Sequence, residues 1–238
     1  MKKILIIPAS GLGLRMSSDV PKQYIKLDNG LTILDTTLSR LLVDDFFDLV
    51  VVVIAKKDRL WYGSKYKHHP KIRLCYGGDE RFNSVKNALT LIKPMVQDTD
   101  WVFVHDAARP CIHINDVKRL FLGVVQKNGV GGLLAAPVVD TVKEIDAHRL
   151  AVLRTLDRDH IYLAQTPQMF RYRTLSMAYY FCEEHNIQVT DEASAVESLD
   201  HQPIVISNSK YNMKVTTPED VNLVNYILLK EIKNKKSI

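Results

Sequence analysis

Cysteine is scarce in this chain of 238 residues. The three cysteines, Cys75, Cys111 and Cys182, lie far apart and form no C-x-x-C pair. An odd and scattered set predicts neither a disulfide framework nor a zinc knuckle. Unpaired cysteines are typical of a reducing compartment, so we expect a cytoplasmic protein.

Long hydrophobic runs are also missing. The longest, residues 49–55, is far below the roughly 20 residues that a membrane-spanning helix needs. The apolar stretch at residues 4–7 is too short for a secretory signal. We therefore expect no targeting segment, no membrane anchor and no membrane partner.

The common nucleotide-binding and metal-binding motifs are absent or broken. No G-x-x-x-x-G-K-[ST] occurs, and a G-x-G-x-x-G beginning at Gly11 would need glycine where Met16 stands. The eight histidines show neither H-E-x-x-H nor zinc-finger spacing. We interpret them as structural residues and assign no metal ligand to the protein itself.

The composition that remains is that of an ordinary globular chain. With 46% hydrophobic and 25% charged residues, it predicts one soluble domain over residues 1–238 with a full hydrophobic core. The net charge of +5 suits anionic substrates as well as nucleic acid. Because the basic residues are scattered rather than striped, we expect no nucleic-acid partner.

Short apolar runs alternate with helical periodicity along the chain. This alternation predicts βαβ units, and so a single Rossmann-like α/β domain with a mainly parallel twisted sheet flanked by helices. The predicted strands cover residues 4–7, 49–54, 72–75, 101–104 and 132–138, and the predicted helices cover residues 33–43, 82–92, 116–126 and about 217–232. Ligands bind beyond the carboxyl ends of such strands, which makes the loops after Ile7, Cys75 and Val104 the candidate site.

The loop after Ile7 has the chemistry of an anion site. Gly11 and Gly13 let backbone N–H groups approach an anion closely, and Arg15 and Lys22 add two positive charges. We interpret it as a polyphosphate-binding loop. The alternative is a flexible connection with two solvated cations.

The other two loops carry acidic and small residues. Residues 77–80 form a Gly-Gly-Asp-Glu turn that opens a helix with acids in its first turn. This turn could bind the edge of a base, or its acids could simply stabilise the start of the helix. After Val104, Asp106 could hold a ribose hydroxyl or a metal, and Arg109 could bind a phosphate.

Residues 139–145 and 150–156 flank a turn-like tetrapeptide, as in a β-hairpin. A lone hairpin lacks the apolar surface to be stable. We therefore expect a projecting arm at about residues 139–158 that forms a homodimer. The alternative is an extra antiparallel pair of strands at the edge of the main sheet.

Eight fragments follow one another along the chain: PASGLGLRM with PKQY, GGDER with Ser84, VHDAARP, AAPVVDTVK, LDR, QTPQ, TDEASAVE and NMKVTTPED. In this order, from about Ile4 to Leu228, they resemble the signature of the 2-C-methyl-D-erythritol 4-phosphate cytidylyltransferases of the non-mevalonate isoprenoid pathway. The resemblance implies transfer of a cytidylyl group from CTP to that sugar-alcohol phosphate, with release of pyrophosphate. It also implies Mg²⁺, or another divalent cation, held mainly by the CTP phosphates.

The resemblance further implies roles for individual residues. The catalytic residues, which would bind phosphates and stabilise the transition state, are Arg15, Lys22 and Lys214. The nucleotide-binding residues are Ala9, Ser10, Gly11, Gly78, Asp79, Ser84 and Asp106. The substrate-binding residues are Asp106, Arg109, Thr141, Arg158, Thr166, Thr190 and Lys214. Of these, the other subunit of a homodimer would contribute Thr141, Arg158 and Thr166 from its arm region.

Three positions depart from the family pattern. Ser10 stands where alanine is common, Leu14 where a second basic residue often occurs, and Tyr211 where an acid is found in other members. The Leu14 difference removes a cation but leaves Arg15. We assign no metal role to Tyr211.

Other functions stay open at this point. Ribitol 5-phosphate cytidylyltransferases share much of the pattern, although Arg109, Arg158 and Thr190 favour the methylerythritol substrate. A nucleotide-binding oxidoreductase or a non-catalytic nucleotide-binding protein could use a similar sheet. The broken G-x-G-x-x-G argues against the oxidoreductase.

Overall fold

Most buried side chains pack on the two faces of one central sheet. A computed structural model describes residues 1–11 and 20–236 of the chain, with side chains as far as residue 231. In the first strand, Leu5 and Ile7 belong to the core on one face, and Ile4 and Ile6 to the core on the other. Burial on both faces explains why this strand is a continuous apolar run rather than an alternating one.

Over the described part of the first half of the chain, strands alternate with α-helices, except that no α-helix lies between the second and third strands. The strands are β1 (Lys3–Pro8), β2 (Leu49–Ile54), β3 (Ile72–Tyr76), β4 (Trp101–Val104), β5 (Gly131–Pro137), β6 (Val142–Asp146), β7 (Ala151–Leu156), β8 (Tyr162–Arg171) and β9 (Ile204–Ser207). The helices are α1 (Ile33–Leu41), α2 (Arg81–Ile92), α3 (Ile114–Gln126), α4 (Tyr172–Glu184), α5 (Glu192–Glu197) and α6 (Pro218–Lys236). None of these helices is both long and apolar enough to cross a membrane.

The main sheet has the strand order β3-β2-β1-β4-β8-β5-β9. β1 pairs in parallel with β2 and β4, so that Ile6 lies opposite Val51 and Val104. β8 runs antiparallel between β4 and β5, and β9 is parallel to β5. The prediction of an α/β fold with a mainly parallel sheet is therefore confirmed, with β8 as its antiparallel member.

β6 and β7 form a separate antiparallel sheet of two strands. The alternative in which this hairpin extends the edge of the main sheet is therefore wrong. Ile145, Val152 and Leu153 are 45%, 60% and 62% exposed, so the arm leaves apolar side chains uncovered in a single chain. A single domain with a dimerisation arm stays a prediction.

The segment before α6 returns the chain to the end of β4. The backbone N–H of Val215 donates to the carbonyl of Ala108 over 2.8 Å. Val215 is also buried in a third apolar cluster with Leu27, Ile33 and Val224. This packing brings the neighbouring Lys214 to the loop after β4.

Candidate active site

The loops after β1, β3 and β4 meet at the carboxyl ends of their strands and line a cavity of about 570 Å³. Residues 9–11, 79–81 and 106–108 contribute to its walls, together with Lys22 and Lys214. The three loops chosen from the sequence therefore do come together, as the geometry of parallel sheets requires.

The loop after β1 is fixed by Gln23. Its side-chain amide donates to the carbonyl oxygens of Ala9 at 2.6 Å and Gly11 at 3.1 Å. On the other side, the N–H of Ala9 donates to the carbonyl of Val53 in β2. Gln23 lies in the PKQY fragment, but this role could not be recognised from the fragment alone. The predicted Arg15 and Gly13 lie outside the described residues.

A pair of hydroxyl groups connects this loop to α2. The oxygens Ser10 Oγ and Ser84 Oγ are 2.8 Å apart, and Ser84 Oγ donates to the carbonyl of Glu80 at 3.0 Å. A Cβ on Gly77 would come within 2.4 Å of Ser10 Oγ and 2.7 Å of Ser84 Oγ. Glycine at position 77 therefore allows the close approach of the two loops.

Asp79 and Glu80 lie before the first turn of α2, not within it as predicted. Glu80 occupies the N-cap position, but its side chain makes no capping hydrogen bond. The interpretation of these acids as helix-stabilising groups therefore gains no support from capping. Asp79 and Glu80 both line the cavity instead.

Asp106, directly after β4, is surrounded by cations. Its Oδ2 lies 2.9 Å from Lys214 Nζ and 3.4 Å from Arg109 Nε, and its Oδ1 lies 3.2 Å from Arg81 Nε. Burial alone would raise the pKa of Asp106, but the charges of Arg81, Lys214 and Arg109 outweigh burial and hold the pKa well below its usual range. Asp106 is therefore a carboxylate at any physiological pH.

A buried chain of hydrogen bonds supports the backbone of Asp106. Its N–H donates to Thr166 Oγ1 at 3.0 Å, and Thr166 Oγ1 lies 2.9 Å from His105 Nδ1. His105 Nε2 lies 3.2 Å from the carbonyl of Arg109. A neutral imidazole satisfies both contacts, accepting from the Thr166 hydroxyl and donating to the carbonyl. Burial lowers the pKa of His105 to about 4, which agrees with a neutral ring.

Arg81 is anchored on its other side by Glu192. The guanidinium Nη1 and Nη2 lie 2.7 and 2.9 Å from the two oxygens of Glu192, whose side chain is fully buried. Tyr179 donates its hydroxyl to the same carboxylate at 3.0 Å. Burial and the charge of Glu192 raise the pKa of Tyr179 well above its usual value, so it remains a donor.

A second, smaller cavity of about 180 Å³ adjoins the first. Arg109, Thr166 and Thr190 line it, and Arg81, Asp106 and Lys214 line both cavities. We call Arg81, Asp106 and Lys214 the shared wall. Two anionic ligands, one in each cavity, would meet at these charges.

The remaining predicted residues fall into two groups. Lys22 borders the larger cavity, and its Nζ donates to the carbonyl of Val215 at 3.2 Å. Thr141 and Arg158 lie at the arm, exposed to solvent, and Arg158 donates to the carbonyl of Val139 at 2.6 Å. Neither lines the two cavities of its own chain.

The prediction that Thr166 comes from the other subunit is wrong. Thr166 is only 4% exposed and contacts Asp106 and His105 of its own chain. It lies in β8, beyond the arm, where it pairs with the main sheet.

Arg81 and Glu192, like Gln23, have places at the site that the sequence did not predict. Both lie in the quoted fragments GGDER and TDEASAVE, but their pairing spans 111 residues of chain. An isolated arginine at the start of a helix gives no local signal of such a partner. Among the described residues, no group of three or more histidines, cysteines, aspartates or glutamates is placed to hold a metal ion.

Comparison with known proteins supports the resemblance given by the motifs. The family model described as 2-C-methyl-D-erythritol 4-phosphate cytidylyltransferase matches residues 3–230. The chain belongs to this family. Members of the 2-C-methyl-D-erythritol 4-phosphate cytidylyltransferase family are nucleotidyltransferases of isoprenoid biosynthesis, so the prediction of an enzyme of this class is confirmed.

Relatives in the family match over almost their whole length. The cytidylyltransferase of Ruthia magnifica is 44% identical over 231 residues, which cover 94% of this chain and 95% of the relative. That of Buchnera aphidicola is 39% identical and covers 98% of this chain and 96% of the relative. The crystal structure of the Francisella tularensis cytidylyltransferase superposes with a TM-score of 0.83 at 44% identity, over 95% of this chain and 100% of that one.

Proposed function

We propose that this protein transfers the cytidylyl group of CTP to 2-C-methyl-D-erythritol 4-phosphate in the non-mevalonate pathway. The products are 4-diphosphocytidyl-2-C-methyl-D-erythritol and pyrophosphate. Membership of the cytidylyltransferase family supports this proposal. The structural observation that carries it is the shared wall of Arg81, Asp106 and Lys214 between two adjoining cavities.

The reaction joins two anions and needs positioned cations more than a strong base. A phosphate oxygen of the sugar-alcohol phosphate attacks the α-phosphorus of CTP, and the bond from that phosphorus to the β-bridging oxygen breaks. Pyrophosphate leaves with the bonding electrons. Charge gathers on the α-phosphoryl oxygens in the transition state, where preorganised cations stabilise it. We assign this role to Lys22 and Lys214 and, outside the described residues, to Arg15.

The larger cavity supports the nucleotide. Residues 9–11 and Asp79 line it and would offer hydrogen bonds to the nucleotide. Gly78 and Ser84 are not among the lining residues; the buried Ser84 hydroxyl instead contacts Ser10 and would support the loop that binds the nucleotide. Hydrogen bonds to a substrate's polar groups discriminate strongly against analogues that leave them unpaired. Asp106, fixed at the adjoining wall, would accept a hydrogen bond from the ribose.

The smaller cavity supports the sugar-alcohol phosphate. Arg109, with a side chain only 12% exposed, provides a cation there, and Lys214 provides a second from the shared wall. Thr190 adds a hydroxyl, and the carboxylate of Asp106 is the acceptor for a substrate hydroxyl. The buried hydroxyl of Thr166 accepts from the N–H of Asp106 and so holds this loop in place.

The arm would complete this cavity in a homodimer. Thr141 and Arg158 are exposed at the arm and are not among the residues that line the two cavities of their own chain. The uncovered apolar side chains Ile145, Val152 and Leu153 supply a surface that a partner chain would bury. We therefore propose active sites shared between the subunits.

The residues present fit a magnesium ion that is held by the triphosphate rather than by the protein. Both oxygens of Asp106 already face cations, and the described residues contain no cluster of metal ligands. When bound, the ion would neutralise phosphate charge. The three free cysteines, Cys75, Cys111 and Cys182, support a reducing, cytoplasmic location.

The decisive experiment measures pyrophosphate release with Mg²⁺ and each nucleotide in turn, paired with 2-C-methyl-D-erythritol 4-phosphate or ribitol 5-phosphate. We expect release only with CTP and the methylerythritol compound. Release only with ribitol 5-phosphate would assign the protein to the alternative cytidylyltransferase. CTP binding in calorimetry without any release would indicate a non-catalytic nucleotide-binding protein.

A mixing experiment tests the shared site. Arg158→Ala and Lys214→Ala are each expected to be inactive alone. In a mixed dimer, the Lys214→Ala subunit would supply an intact arm to the intact cavity of its partner, creating one native site. Activity should therefore return on mixing. If both variants remain inactive after subunit exchange has been verified by mass, each site belongs to one chain.

A further inference from the structure

The ion pair between Arg81 and Glu192 places a fully buried carboxylate behind the site. Arg81 is the first residue of α2, and Glu192 is the first residue of α5. The contact is a fork, with one guanidinium nitrogen on each carboxylate oxygen at 2.7 and 2.9 Å. The Glu192 side chain is 0% exposed and that of Arg81 is 28% exposed. A two-point contact of this kind fixes orientation as well as distance.

A third helix holds the carboxylate in place. Tyr179 of α4 donates its hydroxyl to Glu192 at 3.0 Å. Its ring stacks on Phe82, the residue after Arg81, with centroids 4.6 Å apart and planes only 7° from parallel. Glu192 is therefore not free to follow Arg81 if the arginine moves.

The orientation of Arg81 determines what Asp106 contacts. With Nη1 and Nη2 on Glu192, only Nε of the guanidinium is directed at Asp106, at 3.2 Å from Oδ1. Oδ2 of Asp106 is left for Lys214 and Arg109. Without the carboxylate of Glu192, all the nitrogens of Arg81 would seek Asp106, the nearest remaining anion, and would compete with Lys214 for it.

The pair also joins the two cavities. Arg81 lines the larger cavity together with Asp79 and Glu80, and Glu192 lies behind the smaller one, next in sequence to the lining residues Thr190 and Asp191. The contact between α2 and α5 thus joins the loop of the larger cavity to the loop of the smaller one. The distance between a nucleotide in one cavity and a sugar-alcohol phosphate in the other depends on it.

We propose that Glu192 is a positioning residue for the transfer reaction. It acts through Arg81 to hold Asp106 and Lys214 in the positions that the reaction needs. It also keeps the nucleotide in the larger cavity correctly placed relative to the sugar-alcohol phosphate in the smaller one. The inference rests on the proposed function. It adds a role for a buried residue that touches neither substrate.

The first test is Glu192→Gln, which keeps the size of the side chain and removes its charge. Misplacement of reacting groups by roughly 1 Å costs up to about 100-fold in rate. We therefore expect kcat to fall by up to about that factor, with a smaller change in KM for either substrate. Glu192→Asp, which restores the charge on a shorter side chain, should recover part of the lost kcat.

A double-variant cycle separates positioning from a general loss of structure. Arg81→Lys keeps the charge but loses the fork, and it should reduce kcat in a similar way. If Glu192 acts through Arg81, the kcat of the double variant should be only slightly lower than that of either single variant, because the effects of substituting interacting residues are not additive. If the two substitutions instead damaged the structure independently, the fold-decrease in kcat of the double variant would be the product of the two single decreases.

Glu183→Gln provides a matched control. It breaks the ion pair between Lys86 of α2 and Glu183 of α4, which is largely exposed. This variant should retain wild-type kcat. All kinetics are measured below the melting temperature of each variant. If Glu192→Gln does not fold, the inference is tested with Glu192→Asp and Arg81→Lys.

Two results would overturn the inference while leaving the proposed function intact. One is wild-type kcat and KM in folded Glu192→Gln. The other is full additivity in the double-variant cycle. Absence of pyrophosphate release by the unmodified protein would instead remove the proposed function, and this inference with it.

Discussion

His105 should make the stability of this protein depend on pH between about 4 and 6.5. The ring is fully buried between Thr166 and the carbonyl of Arg109. Burial lowers the pKa of His105 from 6.5 to about 4 in the folded state. In the unfolded chain the ring takes up a proton below about pH 6.5. The contribution of His105 to stability is therefore complete above pH 6.5 and is lost as the pH falls toward 4.

The size of the effect follows from the pKa difference. Each pH unit between the two pKa values is worth about 1.4 kcal/mol. Over the interval from 6.5 to about 4, the free energy of unfolding should therefore fall by about 3 kcal/mol through His105. That is a large share of the stability of a typical domain, which is roughly 5–15 kcal/mol.

The assay is urea unfolding, followed by circular dichroism, at several pH values between 4 and 7. His105→Gln removes the titrating ring, so its free energy of unfolding should vary less steeply with pH than that of the unmodified protein. His148→Gln changes an exposed histidine in the arm turn and controls for the substitution itself. Parallel curves for the unmodified protein and His105→Gln would refute the reasoning.

Two further variants test the larger cavity. Asp106→Asn leaves the surrounding cations without their carboxylate and should lower the free energy of unfolding by about 3 to 5 kcal/mol. Added pyrophosphate should then raise the melting temperature of this variant more than that of the unmodified protein. An equal rise in both proteins would contradict this prediction. Gly77→Ala would push a methyl group between Ser10 and Ser84, and we expect roughly 1–3 kcal/mol of strain together with weaker CTP binding in calorimetry. Gly63→Ala is its control, because no atom lies within 4 Å of the added Cβ, and equal CTP affinity in both variants would exclude the proposed close approach.

The parallel half of the fold could be predicted because its strands carry their own signal. Leu49–Ile54 and Trp101–Val104 are buried on both faces, and both are uninterrupted apolar runs between turn residues. Helix α2, between them in sequence, buries one face and is long enough at 12 residues for its period to be recognised. The mainly parallel character of the sheet follows from the same alternation, since strands in βαβ units pair in parallel.

β8 could not be recognised in the same way. Its central residues Gln165, Thr166 and Gln168 are polar, and Pro167 lies among them. They are buried nonetheless, because partners distant in sequence satisfy them. Gln165, for example, contacts Asn208 and Asn212 through its side chain. When only the sequence is read, a strand whose polar side chains bond to partners elsewhere in the fold resembles a loop.

The candidate site shows the same division. Each loop could be identified from its own glycine, acid or cation, since those chemistries are local. The fork between Arg81 and Glu192 joins helices 111 residues apart, and no periodicity or spacing connects them. The position of Thr166 likewise depended on the course of β8, which is why its assignment to a partner's arm was wrong.

The shared wall has a practical consequence for inhibition. Because Arg81, Asp106 and Lys214 line both cavities, a small dianion bound there would obstruct the nucleotide and the sugar-alcohol phosphate at once. Sulfate or inorganic phosphate would then compete with each substrate in turn and raise both apparent KM values. Kinetics should therefore be measured in buffers without these anions. A selective inhibitor could use one anionic group at the shared wall to extend into both cavities.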